Sequence, residues 1–355
     1  MNTRFNPDMP LLAHMDIVKK ISIDTPTFAG IQRTLQRTYH EHSSTSTPAC
    51  KHIVGHSRTG KSFAAREFES RFPPERTPEG LRKEVIYVQA PVKGTIKGLM
   101  EALLEALGDP LWMSGTYSNM LSRLLNLLEK AQTKMIILDE FQHLCDKGQR
   151  TTLTGATDWL KALVERNTLS LVCVGLPSSR AIIFKSEQLR NRFDSTLEVP
   201  VYDWMDAQSR RVFRSVLRAM QQQLAPFELP DMSTPEMALR MFIACGGRIG
   251  LLSKILDRAV KDAIWEGRTA IRIEDLADAF SVAVWFADSI PMQGGPFLGS
   301  LDLNAAQELC TRSMKLSSEV PHEEDDLHTN MGTLTESTKP MTKSRVKREV
   351  ARALA

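Results

Sequence analysis

Two short segments hold residues whose types and spacing can do chemistry. The first, GHSRTGKS, runs from Gly55 to Ser62 and has the form G-x-x-x-x-G-K-[ST]. Gly55 and Gly60 permit backbone angles that a Cβ resists. The N–H groups of His56, Ser57, Arg58 and Thr59 can then converge on phosphate oxygens, while the following helix, with Phe63 in its first turn, presents its positive end. In this reading Lys61 reaches the β- and γ-phosphates and the Ser62 hydroxyl holds Mg²⁺. The second segment is MIILDE, in which four apolar residues carry Asp139 and Glu140 to the end of a buried strand. Asp139 would complete the Mg²⁺ shell, and Glu140 is placed to polarise an attacking water as general base. Taken singly, the first could be a chance glycine turn and the second a solvated turn. Roughly 80 residues apart on one chain, they specify hydrolysis of a nucleoside triphosphate held with Mg²⁺.

Those residues need a strand, a loop and a helix behind them, and the flanks supply all three. CKHIVG precedes the loop, and 62–72 has helical spacing through Phe63, Arg66, Glu67 and Ser70. Further strands are expected at VIYVQA, KMIILDE, LSLVCVG and TLEVP, with helices at 95–107, 116–131 and 155–167. Apolar strands alternating with helices imply a five-stranded parallel sheet covered on both faces, an α/β three-layer domain ending near Pro200. After Trp204 the strand signal stops. Helices are expected over 205–223, 234–245, 249–265 and 273–285, the second behind a Thr234 cap with Pro235 in its first turn. Gly246-Gly247 breaks the second from the third. The organisation expected is an N-terminal extension over 1–48 with one helix at 27–42, a nucleotide-binding domain over 49–203, a helical lid over 204–288, and a polar tail over 289–355. The tail is acidic in VPHEEDDLHTN and basic in KPMTKSRVKREVARALA, with much of 314–355 expected to be disordered alone and to suit partner docking.

Composition bounds the reading. With 355 residues, 42% hydrophobic and 25% charged, the chain is typical of soluble globular proteins. A net charge of +3 neither demands nor excludes nucleic acid. The five cysteines form no C-x-x-C pair, so no zinc signature is present, and their odd number argues for reduced thiols and a cytoplasmic location. No secretory leader is expected, and no apolar run approaches the ~18 residues of a membrane span.

Several cations admit two readings. Arg190 and Arg192 in SEQLRNRFD are either a solvated helix end or an arginine finger for a neighbouring subunit's γ-phosphate. Arg248, which follows Gly246-Gly247, is either a surface charge or a residue that folds back over the phosphates. Lys93, Thr95 and Lys97 follow VIYVQA, and Lys147 and Arg150 follow the Asp-Glu strand. Basic and hydroxyl residues in such loops suit contacts to a phosphate backbone, and equally suit an ordinary surface.

In this order the parts resemble the AAA+ ATPases: Walker A at 55–62, Walker B at 135–140, an arginine pair at 190–192, and a helical lid with a sensor-2-like Arg248. The resemblance covers roughly 25–285 and is most specific at the two Walker motifs. Within that class the chain is similar to the TniB/TnsC group of transposition regulators. The features that carry this are Thr25-Pro26 and a helix before the phosphate loop, ILDEFQHL, VGLPSS and QLRNRF. The resemblance implies ATP-dependent assembly into a ring or helical homo-oligomer on duplex DNA. It also implies a bridge from a TniQ-like target selector, sometimes tied to a CRISPR effector, to the transposase, with disassembly on hydrolysis. The DNA contacts it implies fall on Lys93, Thr95, Lys97, Lys147 and Arg150. One departure stands out: the sensor-1 region reads Val174-Gly175-Leu176-Pro177-Ser178, with Ser178 the nearest polar candidate, which implies slow hydrolysis.

Two other classes compete. A replication initiator or loader shares the lid and arginines but generally adds a winged-helix domain, for which 286–355 is too polar. A STAND-like signalling switch would use nucleotide as a latch and carry C-terminal repeats, which the sequence lacks.

Overall fold

The computed structural model describes residues 11–44, 50–78, 80–92, 94–144, 150–164, 169–302 and 305–318. Helix α1 (Pro26–Ser44) leads into β1 (Cys50–Gly55) and α2 (Lys61–Glu69). A small antiparallel hairpin, β2 (Glu75–Thr77) and β3 (Gly80–Arg82), then precedes β4 (Val85–Gln89). Helices α3 (Ile96–Ala106) and α4 (Tyr117–Lys130) lead to β5 (Met135–Asp139), and α5 (Arg150–Val164) leads to β6 (Ser170–Gly175). Short helices α6 (Arg180–Phe184) and α7 (Glu187–Arg192) precede β7 (Leu197–Val199). The five main strands are parallel, in the order β4-β5-β6-β1-β7. This is the expected α/β sheet; the hairpin was not expected, because its two short strands are largely polar.

Alternation along the strands explains why they read as unbroken apolar runs. In β5, Met135 and Ile137 join a core layer with Ile31 and Leu35 of α1 and Phe68 of α2. Ile136 and Leu138 join the opposite layer with Leu103, Leu124 and Trp159 of α3, α4 and α5. A strand buried on both faces has no polar side to show. The five strands of this sheet run the same way, so the carboxyl ends of β1 and β5 open on one edge of it.

Beyond Trp204 the chain is helical: α8 (Ala207–Gln223), α9 (Pro235–Cys245), α10 (Ile249–Trp265), α11 (Ile273–Ala283), α12 (Gly295–Leu298) and α13 (Ala306–Ser318). Thr234 caps α9 by accepting from the Met237 N–H, and Gly246 ends it in the left-handed region at φ 56°. Part of the segment expected as polar tail from 289 is packed. Pro296, Phe297, Leu309 and Cys310 are buried in or against the lid core, and Ser313 Oγ donates to the Ile243 carbonyl. The apolar positions of α13 are few and spaced between polar residues, so the sequence reads as tail until the helix is docked.

The N-terminal segment is likewise part of the packing. Val18 is buried in the lid core with Leu11, Met15, Ile17, Ile21 and Ile23 against it, whereas Ile31, Leu35 and Tyr39 of α1 lie in the sheet layer. Gln223 of α8 donates to the Ser22 carbonyl at 2.8 Å, tying the two together.

Candidate nucleotide-binding site

The loop between β1 and α2 has the geometry its glycines foretell. Gly60 sits at φ 91° as the cap of α2. A Cβ on Gly55 would lie 2.6 Å from the Val199 carbonyl, so the approach of β7 to β1 demands glycine there. Arg58 adopts φ 61°, unusual for a residue with a side chain. Thr59 Oγ1 donates to the His56 carbonyl at 2.9 Å, closing the loop.

Lys61 is 7% exposed, and its Nζ donates to the carbonyls of Gly55 and His56 at 2.8 and 2.7 Å. Burial pulls its ammonium down to about 8; Asp139 and Glu140 oppose that shift and Arg248 adds to it. His56 is also held below its ordinary value, by burial and then by Arg248 and Lys61. The phosphate loop, both acidic residues and Arg248 therefore share one electrostatic neighbourhood. Ser62 follows in the first turn of α2, and Phe63 is 40% exposed with its ring 6.1 Å from that of Phe28. Phe28, Phe63, Ile21, Ile249 and Gly250 line part of a mainly apolar cavity of about 410 Å³ beside the loop.

Asp139 is 1% exposed at the end of β5. Its Oδ1 accepts from the Glu140 N–H at 2.8 Å and its Oδ2 from the Tyr87 hydroxyl at 2.6 Å. Glu140 sits at φ 53°, in the left-handed region, where a short turn re-aims its side chain. The carboxamide of Gln142 donates to Glu140 Oε2, and its Oε1 accepts from the Leu176 N–H at 3.0 Å. A Cβ on Gly175 would lie 2.8 Å from that Oε1. Gln142, in the turn after β5, thus brings a polar group to the end of β6, beside Ser179 Oγ. Ser178, the sequence candidate, lies in a 3₁₀ turn just past it.

The lid meets the loop directly. Arg248 caps α10, is 3% exposed, and donates from Nη1 to the Ser57 carbonyl at 2.7 Å and from Nε to Ser317 Oγ at 2.9 Å. The Gly250 N–H donates to the Arg58 carbonyl at 2.9 Å. Of the two readings open for Arg248, the surface charge is excluded by burial.

Arg190 and Arg192 are elsewhere. They end α7, and the next residues lie against the start of β1: Phe193 bridges Cys50, and Asp194 pairs with Lys51 at 2.7 Å. The length of β1, roughly 16 Å at about 3.3 Å per residue, separates that point from Gly55. Of the positions considered for DNA contact, Lys93 and Lys147 lie outside the described residues. Thr95 accepts from the Gly98 N–H as the cap of α3. Lys97 is in the first turn of that helix rather than in a loop, 3.7 Å from Glu101. Arg150 is the first residue of α5, five residues ahead of the helix start the sequence suggests. A Cβ on Gly94 would lie 1.9 Å from the His143 carbonyl, so the loops after β4 and β5 press together.

The structure brings together the loop, Asp139, Glu140 and Arg248, which the sequence singles out. The sequence reading does not single out Gln142, whose partner is 34 residues away, or Tyr87, which lies inside the expected strand VIYVQA. It also missed Ser317, which read as tail.

A family model described as Bacterial TniB protein matches residues 16–204. No curated protein matches the chain in sequence. Among solved structures, Cdc6p from Pyrobaculum aerophilum superposes with a TM-score of 0.57 at 14% identity, covering 84% of each chain. The Aeropyrum pernix ORC2 protein in ADPNP-ADP complexes gives 0.54 at 17% identity over 76% of this chain and 72% of that one. The Aeropyrum pernix ORC1 protein in complex with DNA gives 0.54 at 14% identity over 75% and 68%. At such identities the likeness is one of fold. The family match spans more than half of the 355 residues, from the segment before α1 past β7, and so the chain belongs to the bacterial TniB family, an ATPase built on the AAA+ fold.

Proposed function

We propose that this protein is a transposition regulator that binds ATP between adjacent copies, assembles on duplex DNA, and disassembles on hydrolysis. Lys61, Gly60 and the loop N–H groups hold the phosphates. Ser62 and Asp139 hold Mg²⁺, a hard ion that suits one hydroxyl, one carboxylate and phosphate oxygens and keeps several waters. Bound there, the ion would neutralise charge developing on the γ-phosphate. Glu140, steadied by Gln142, orients the water and takes its proton. Arg248 carries lid position to the phosphate loop.

The observation that carries the reading is the position of Arg190 and Arg192. They sit at the far end of β1 from their own loop, which supports a finger supplied by a second copy. Assembly then depends on nucleotide. TniB membership supports the transposition setting, and the ORC1 neighbour, which was solved in complex with DNA, supports a duplex as ligand. A TniQ-like selector and a transposase are the partners proposed, with the residues beyond 318 as docking segment. No helix among the described residues is long and apolar enough to cross a membrane. Electron microscopy of the purified protein with duplex DNA and a non-hydrolysable ATP analogue tests the scheme. Rings or filaments that need both ligands are expected. Particles that stay single with both present would overturn it.

A further inference from the structure

We propose that Tyr87 is the positioning residue of the metal site, and that Arg66 sets the direction of its hydroxyl proton. This rests on the reading of Asp139 as the residue that holds the cation. The register of β4 and β5 pairs Tyr87 with Ile137 and Gln89 with Asp139. Side chains alternate along a strand, so Tyr87 and Asp139 share the face that α2 covers, in a diagonal relation. A tyrosine is long enough to span that diagonal, and its hydroxyl lies 2.6 Å from Asp139 Oδ2.

The phenol oxygen has a second partner. Arg66 follows Ser62 by one turn of α2, and its Nε donates to the same oxygen at 3.1 Å, with the guanidinium 5.3 Å from the ring centroid. A guanidinium has donors and no acceptor. Arg66 therefore takes a lone pair of the phenol, and the phenolic proton is left to Asp139. The other carboxylate oxygen accepts from the Glu140 N–H. The last torsion of a free aspartate is broad and two-fold; here both oxygens are tied, and only their remaining lone pairs are left for a cation. Outer partners of this kind typically tune metal affinity by roughly 10–100-fold. One stripe of α2 thus carries Ser62 toward the cation and Arg66 toward the group that aims its carboxylate.

The test uses Mn²⁺ as probe, with the free ion followed by electron paramagnetic resonance and the full-length protein saturated with ADP. Tyr87→Phe is expected to weaken Mn²⁺ binding by roughly 10–100-fold, with ADP affinity in EDTA and the melting temperature unchanged. Arg66→Met should weaken it in the same direction, and the double variant should be no worse than Tyr87→Phe alone. Should Tyr87→Phe fail to fold, Arg66→Met keeps the ring in place and carries the test. Mn²⁺ binding at wild-type strength in both variants overturns the proposal. Asp139→Asn separates the two readings. Retained Mn²⁺ affinity in that variant overturns the assignment of Asp139 itself, whereas its loss beside an unaffected Tyr87→Phe overturns only the role given to Tyr87.

Discussion

Arg248 of the lid donates to the backbone carbonyl of Ser57 in the phosphate loop at 2.7 Å. The contact joins two segments 191 residues apart, and the same side chain donates to Ser317 at 2.9 Å. Lid, loop and last described helix thus meet at one guanidinium. A hydrogen bond to a charged group contributes about 1.5–3 kcal/mol. Arg248→Ala is expected to weaken nucleotide affinity by about tenfold or more, read by titration with a fluorescent ATP analogue. Ser317→Ala removes only the outer support and should cost less; equal losses would show that the Ser57 contact is not the one that matters.

Lys61 makes ligand binding pH-dependent. Burial holds its ammonium at about 8 in the folded chain, below the ordinary 10.5. Between those values the unfolded chain binds more protons than the native one, so this group makes stability rise with pH there and penalises folding below about 8. A triphosphate beside Nζ restores the charge. Calorimetry in buffers of different ionisation enthalpy should therefore show proton uptake on ATP binding at pH 8–9 and almost none at pH 6.5. Lys61→Ala should abolish binding altogether.

Gly250 leaves no room for a side chain. A Cβ there would lie 2.8 Å from Arg58 Cβ and 3.0 Å from the Arg58 carbonyl. Gly250→Ala is expected to push the lid off the loop at a cost of about 1–3 kcal/mol, lowering both the melting temperature and nucleotide affinity. An unchanged melting curve would mean that the lid moves aside freely.

Shared sites can be tested by mixing. Glu140→Gln should bind ATP but turn over at least about 100-fold more slowly, and Arg190→Ala with Arg192→Ala should also be inactive. If the arginines act on a neighbour's nucleotide, mixing the two inactive proteins regains part of the activity on DNA. No recovery at any ratio would place the arginines outside catalysis.

For DNA, reversing charge at Lys93 and Lys97 should weaken binding alike on all sequences and flatten its salt dependence. Lys97 already faces Glu101 at 3.7 Å; an unaltered salt slope would leave it as a partner of that carboxylate alone.

Much of the site was legible because its parts are local. A glycine loop needs only eight consecutive residues, and the strand before Asp139 is a run of apolar side chains with a carboxylate at its end. The contacts that were not legible join distant segments. Gln142 reaches the end of β6, Tyr87 reaches across from β4, and α13 docks on a face that exists only once α9 has folded. Their side chains look ordinary in isolation: a polar residue after an acidic pair, an aromatic in a core strand, a serine in a polar stretch. Helix ends behaved similarly. Arg150 begins α5 five residues ahead of the start that the apolar spacing suggests, a difference that local spacing does not record.

Val18 is anchored in the lid and α1 beneath the sheet, with only about eight residues from Val18 to Pro26. Fully stretched, that span reaches at most about 29 Å. Any swing of the lid away from the sheet is therefore leashed by a fixed length of backbone, and trimming or lengthening this leash would reset how wide the molecule can gape.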